Sequence, residues 1–464
     1  MAAGEEDLRK AFCDAEQGHV FRFWDELNAD DRKVLLGQLA SIEIDQLDRL
    51  IETHLAEQKS LPPPSLSPGE VIAIPRSDAD REDAARSKQV GEEALRQGQV
   101  AVLVVAGGQA TRLGYDGPKG TLPITPVTRR SLFSVHAQKT LALQRRYQGR
   151  VPFLVLVSPQ NHEATRRFFE EKSFFGLDPD QVSFFEQGML PAIDGDGRLL
   201  LAERGRIFLS PDGHGGVFRA LLRSGLFEQL ESQGVHTLFY FQVDNPLVKV
   251  ADPVFLGHHL RAEADLSLKV VRKRDAQEKV GVYALVDERP GIIEYSDLSP
   301  EQRDAGDADG LKYWAGNIAI HAFQLSFLRQ IATGECELPY HMARKKVPHV
   351  DERGERVQPS EPNGVKFESF VFDALPFARK VVAMEVERSE EFAPVKNREG
   401  EDSPATAVAA QSALFRSWLS DAGIPVADEK ARIEVGPLFA LDREELHRKI
   451  RKDGLLGART VLLD

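Results

Sequence analysis

The pattern of the chain is that of an α/β protein with a mostly parallel central sheet. Three observations carry this. Six unbroken apolar residues, Val100 to Val105, are cut short by Gly107 and Gly108, which suits a strand covered on both faces. From Val100 to about Val386, apolar strand-like runs alternate with helical patterns, the arrangement that builds parallel sheets with crossover helices. At 464 residues the chain is long enough for two or three domains with a large core.

In order along the chain, residues 1 to about 60 read as helices. Phe21, Trp24 and Leu27 recur at three-residue spacing, followed by Leu35, Leu36, Leu39 and Ile42, then Leu47, Leu50, Ile51 and Leu55. Asn28 or Asp30 is placed to cap the second of these helices. Leu61 to Gly69, LPPPSLSPG, reads as a linker because successive prolines cannot continue a helix. A helix over Asp80 to Arg96 ends at Gly98, just before the Val100 strand. Further helices are expected at Ser131–Tyr147 and His162–Phe175, with strands at Phe153–Val157 and Thr237–Val243. The last portion holds EFAPVKN, a helix at Ala405–Leu419 and a strand-like IEVGPLF. The division expected is a helical N-terminal region over 1–98 with its proline linker, a catalytic domain over 99–386 and a small C-terminal cap over 387–464.

Composition bounds the function. Hydrophobic content of 42% and charged content of 28% are those of a globular protein without membrane spans. The start, MAAGEEDLRK, has no hydrophobic leader, so a cytoplasmic setting is expected. Cys13 and Cys336 are too few and too far apart for a disulfide framework or a metal cluster. A net charge of −13 argues against a general nucleic-acid surface, yet permits a polyanionic substrate in a local pocket of cations such as Arg112, Lys119, Lys366 and Lys396.

The loop after Val105 carries Gly107, Gly108, Gln109, Ala110, Thr111 and Arg112, then Gly114, Pro118 and Lys119. Glycines let backbone N–H groups approach phosphate oxygens, a guanidinium holds two oxygens in its fork, and a lysine adds a point charge. A lone Gly-Gly pair is equally an ordinary strand-to-helix turn. GGQATRLG fits neither the dinucleotide fingerprint nor the Walker loop. SPDGHGG, Ser210 to Gly216, is a second backbone-exposing loop and, read alone, also a turn. Asp244 ends a strand at the carboxyl side of the sheet, where ligands gather, and is either a Mg²⁺ ligand or a helix cap. His258, His259, His341 and His349 show no partner spacing and read as surface positions.

GGQATRLG followed by PKG resembles the G-G-x-G-T-R-L-G and P-K signature of the nucleotidyltransferases that make UDP-sugars, the UDP-N-acetylhexosamine pyrophosphorylases in particular. Ala110 stands where that family usually has a further glycine, so it either keeps φ negative or carries strain of about 1 kcal/mol. The resemblance runs from about Phe21 to the PLFALD segment and implies a Rossmann-like, GT-A-like nucleotidyltransferase sheet. It also assigns roles. In FEQGMLP, Gln187 would face the uracil; Gly213 and His214 would lie against base and sugar, His214 standing where the hexosamine enzymes have asparagine and the glucose-specific relatives histidine. Gly281, Glu294, Asn317, Phe370 and Phe372 fall in segments that line the family's sugar pocket, although core packing is at least as good a reading for the two phenylalanines. Lys396 in FAPVKN would reach the phosphate that is attacked. Catalysis is thus expected of Arg112, Lys119 and Lys396, with Mg²⁺ on Asp244 as cofactor. The substrates implied are UTP and a sugar 1-phosphate, N-acetylglucosamine 1-phosphate ahead of glucose or galactose 1-phosphate. A UDP-sugar-using glycosyltransferase and a non-catalytic nucleotide sensor are the rivals. No nucleic acid or membrane partner is implied, and both monomer and homodimer are compatible with the sequence.

Overall fold

The computed structural model describes residues 4–56, 64–307, 310–424, 426–450 and 460–464. By their contacts the residues form two compact units, each drawn from more than one stretch. The first comprises 1–64, 187–217 and 337–373; the second comprises 65–186, 218–336 and 374–464.

The first unit begins with helices α1 (Glu5–Asp14), α2 (Ala29–Ser41) and α3 (Ile44–Ala56). Asn28 caps α2 through the Asp31 amide at 2.9 Å. Phe21, Trp24 and Leu27 do not lie on a helix of α type: Gly18–Phe21 and Trp24–Glu26 are two short 3₁₀ turns, whose period of three is the spacing these residues show. Leu35, Leu39, Leu47 and Leu50 pack with Leu190, Ile193, Leu199, Val365 and Phe367, so three distant stretches share one core.

The second unit is organised on a ten-stranded sheet. Its strands are β1 (Leu66–Pro68), β2 (Val100–Val105), β3 (Phe153–Val157), β4 (Val182–Glu186), β5 (Thr237–Gln242), β6 (Leu266–Arg272), β7 (Val282–Val286), β8 (Arg289–Ile293), β9 (Ala315–Gln324) and β10 (Val381–Glu385). The main order is β1-β7-β9-β5-β2-β3-β4, with β6 joining β9 to β10 and β8 beside β7. Pairing is parallel through β5, β2, β3 and β4, the part that carries the motifs, and antiparallel at β9. Val100 to Leu103 are fully buried, as a strand covered on both faces demands. β1 shows that the proline-rich stretch ends as an edge strand, where a missing N–H costs no ladder bond; Leu61 to Pro63 lie outside the described residues.

Helices α4 (Asp78–Arg96), α5 (Leu132–Tyr147), α6 (His162–Glu171), α7 (Pro253–Arg261) and α8 (Pro404–Asp421) are the longer helices of the unit. Ser77, Ser131 and Ser403 cap α4, α5 and α8. α6 stops at Glu171 rather than continuing to Phe175, because Ser173, Phe174 and Phe175 all take positive φ. His258 and His259 are buried rather than on the surface: α7 turns them inward, where they meet the Ser87 and Ser267 hydroxyls at 3.2 and 2.8 Å. His341 is exposed and His349 half-buried. No helix among the described residues is long and apolar enough to cross a membrane.

Candidate active site

In the second unit the loop after β2 folds back on itself. The Lys119 amide donates to the Gly108 carbonyl at 3.1 Å, the Ala110 amide to Gly117 at 3.1 Å, and Gly114 takes φ +70° at the turn. Ala110 keeps φ at −95° and is buried, so its methyl group costs no strain and fills space under the loop. A Cβ placed on Gly108 would meet nothing within 4 Å, whereas one on Gly120 would strike the Phe133 ring at 2.2 Å. One glycine of the loop is therefore open for approach and the other is required for packing. Asn161 at the start of α6 steadies the strand end by donating to the Ala106 carbonyl at 3.0 Å. Gln109, Thr111 and Arg112 are exposed, and the Arg112 guanidinium has no hydrogen-bond or ion-pair partner among the described residues.

Asp244 lies two residues beyond β5, beside β2, and is buried. Its Oδ2 accepts from the Lys119 ammonium at 2.8 Å. Its backbone carbonyl accepts from the Val395 amide at 3.0 Å, which lays FAPVKN along the same strand end. Lys396 follows directly, exposed, its ammonium 5.8 Å from the centre of the Phe392 ring. The glycine loop, Asp244 and the Lys396 segment are thus neighbours at the carboxyl end of the parallel strands. Arg398, which the sequence reading passed over, crosses the loop too: a Cβ on Gly114 would lie 3.3 Å from its guanidinium. The signal for it was only its position two residues after Lys396.

Gly281, Glu294 and Asn317 also come together. The Asn317 amide donates to the Gly281 carbonyl at 2.8 Å, and a Cβ on Gly281 would lie 3.1 Å from the Glu294 carboxylate. Pairing of β6 with β9 slips between Leu268 and Val270, opposite Asn317 and His321, and Ala319 takes φ +55° there. Such a bulge re-aims the side chains of the strand that carries it.

In the first unit Met189–Pro191 pairs with Leu209–Pro211, so Gln187 and SPDGHGG belong to one local structure. The half-buried Gln187 carboxamide makes no hydrogen bond among the described residues. Gly213 has φ +82°, and a Cβ there would sit 2.3 Å from the Ser369 carbonyl oxygen. The Val371 amide donates to His214 Nδ1 at 3.0 Å, and the imidazole stacks on Phe370 with ring centres 5.2 Å apart. Burial, with His341 nearby, lowers the His214 pKa to about 4, so the ring is neutral at pH 7. Phe370 and Phe372 do not share a strand face: Val371 to Phe377 is 3₁₀, and the two rings meet at 5.1 Å against His214. Lys366 lies over the Phe208 ring at 4.8 Å.

Among the described residues no three His, Cys, Asp or Glu side chains gather to hold a metal on protein ligands alone. Asp244 Oδ1 has no hydrogen-bond partner among the described residues, which fits an ion that takes one or two carboxylates and fills its shell with phosphate and water.

A family described as UTP–glucose-1-phosphate uridylyltransferase matches residues 52–447. The chain is 36% identical to the UDP-N-acetylglucosamine pyrophosphorylase of Saccharomyces cerevisiae, over 91% of this chain and 92% of that one. It is 38% identical to the human UDP-N-acetylhexosamine pyrophosphorylase-like protein 1, over 96% and 94%. Among solved structures, the UDP-N-acetylglucosamine pyrophosphorylase of Trypanosoma brucei in complex with inhibitor aligns with a TM-score of 0.84 at 30% identity, covering 98% of this chain and 97% of that one. With the match spanning most of its length and the glycine loop, Asp244 and FAPVKN side by side at the end of the parallel strands, the chain belongs to the UTP–glucose-1-phosphate uridylyltransferase family.

Proposed function

We propose that the protein is a uridylyltransferase that joins UTP and N-acetylglucosamine 1-phosphate to give UDP-N-acetylglucosamine and pyrophosphate. The observation that carries the reading is the convergence of Lys119 and the Lys396 segment on Asp244. The sugar phosphate oxygen attacks the α-phosphorus in line and the pyrophosphate leaves, with no covalent intermediate. Such chemistry rests on positioning and on neutralising charge at the equatorial and leaving oxygens. Arg112 and Lys119 hold the β- and γ-phosphates, Lys119 exchanging its carboxylate partner for phosphate. The open face of Gly108 and the exposed Gln109 and Thr111 cradle the nucleotide, with Ala110 packed beneath them. Lys396 offsets charge at the α-phosphorus.

Asp244 would hold Mg²⁺, which supplies Lewis-acid charge to the bound phosphates. Gln187 offers both a donor and an acceptor to the uracil edge, and Gly213 and His214 lie with it in the same local structure. Gly281, Glu294 and Asn317 supply a cluster for sugar hydroxyls, and Phe370 and Phe372 an apolar face. Free Cys13 and Cys336 fit work in a reducing cytoplasm.

His214 favours a second acceptor, glucose or galactose 1-phosphate, because it replaces the asparagine of the hexosamine enzymes. Purified protein with UTP and Mg²⁺, scored for pyrophosphate against a panel of sugar 1-phosphates, decides between them. About tenfold preference for an unacetylated sugar, a difference of about 1.4 kcal/mol, overturns the first choice.

A further inference from the structure

One buried side chain beside this site has no part in the scheme above. Asn245 is 4% exposed and follows Asp244 directly. Its Nδ2 donates to the Glu391 carbonyl at 2.6 Å. Its Oδ1 accepts from the Ala393 amide at 3.1 Å and from the Leu247 amide at 3.3 Å. The Leu247 bond is a local turn, of the kind any Asn or Asp forms after a strand. The other two reach across the sequence to one short segment, and the Val395 amide adds a third bond to it through the Asp244 carbonyl. The same segment is pinned at its base, where the Glu391 carboxylate accepts from the fully buried Lys269 ammonium at 2.7 and 2.9 Å.

Past Val395 the chain bonds to its own next turn rather than to the end of the sheet. Lys396 is exposed, and its backbone amide turns to the Asp402 carbonyl at 2.6 Å. The place from which Lys396 reaches out is therefore set by the anchoring of 391–395. The Asn245 carboxamide suits that task chemically, since it donates with one end and accepts with the other. Aspartate has the same shape but would turn a carboxylate oxygen toward the Glu391 carbonyl, an acceptor facing an acceptor.

We propose that Asn245 is a positioning residue: it clasps the Glu391–Val395 segment to the end of β5 and so sets Lys396 over the reacting phosphate. The inference rests on the role given to Lys396 under the proposed function.

The test uses the full-length protein with UTP, N-acetylglucosamine 1-phosphate and Mg²⁺. Asn245→Asp and Asn245→Ala are made both alone and with Lys396→Ala. Alone, each lowers kcat by about ten- to a hundredfold while KM for UTP moves less than about threefold, and on the Lys396→Ala background the further loss is under about twofold, as expected of residues acting as one unit. Equal loss on both backgrounds, or wild-type kcat in both single variants, overturns the proposal. Amide hydrogen exchange probes the clasp without reference to chemistry: Ala393 and Val395 exchange at least about tenfold faster in Asn245→Asp while β2 and β5 keep their protection. Unchanged exchange at those two amides also overturns it. Asn245→Ser, a small residue with a donor and an acceptor, replaces the aspartate variant if that one does not fold. Wild-type turnover in Lys396→Ala removes the role of Lys396 and the catalytic half of the proposal with it, and the exchange measurement still decides the clasp.

Discussion

Lys119 and Asp244 form a half-buried ion pair at 2.8 Å, and its arrangement separates what each side chain contributes. In the proposed function that lysine exchanges its carboxylate partner for a phosphate. Lys119→Ala and Lys396→Ala are each expected to lower turnover by about two orders of magnitude or more, with the fold intact, as the removal of a charge acting on the transition state does. Turnover near wild type in either variant removes its assigned role. Both lysines were legible because PKG and FAPVKN match family segments. Asn245 was not, because an asparagine after a strand has a local explanation that hides its long-range bonds. His258 and His259 were misread as surface positions because they show no partner spacing along the chain; the packing of α7 against α4, which brings Ser87 to His258, and against β6, which brings Ser267 to His259, turns both inward.

At the scale of the element, the glycine loop makes a prediction from two of its own residues. Gly120→Ala places a methyl group within 2.2 Å of the Phe133 ring and is expected to cost about 1–3 kcal/mol of stability. Gly108→Ala points into open space, so the melting temperature stays near wild type while UTP affinity falls about tenfold. Thermal denaturation and UTP titration of the two variants separate the effects; a matched loss of stability in Gly108→Ala would refute the open face. Strand β2 was readable to the residue because a strand buried on both faces leaves an unbroken apolar run. The end of α6 was not. No glycine or proline marks it before Gly176, and left-handed Phe174 and Phe175 are held instead by Phe169, whose ring lies 6.3 and 5.0 Å from theirs. Tertiary packing of that kind has no local signal.

For the whole molecule, buried histidines set an acid limit. Burial lowers the pKa of His136 to about 3 and of His259 to about 4. The unfolded chain takes up a proton at each of these positions below about pH 6.5, while the folded chain does not until about 3 to 4. Stability is therefore complete above about 6.5 and is lost as pH falls toward 4, by about 1.4 kcal/mol per pH unit for each histidine. Melting curves between pH 7 and 5, above the range where most carboxylates protonate, are expected to shift steadily downward; no shift over that span would contradict the burial of these rings.

The α/β class was plain from the alternation of runs, whereas the two compact units were not, because a reading that proceeds along the chain has no means of joining 1–64 to 187–217 and 337–373. That discontinuity matters while the protein is being made. Helices α1 to α3 leave the ribosome ahead of the other two stretches of their unit, and the side chains that cover Leu35, Leu39, Leu47 and Leu50 include Val365 and Phe367, translated some three hundred residues later. Until then the nascent chain carries an uncovered greasy surface, the kind that chaperones shield and that aggregates when synthesis stalls.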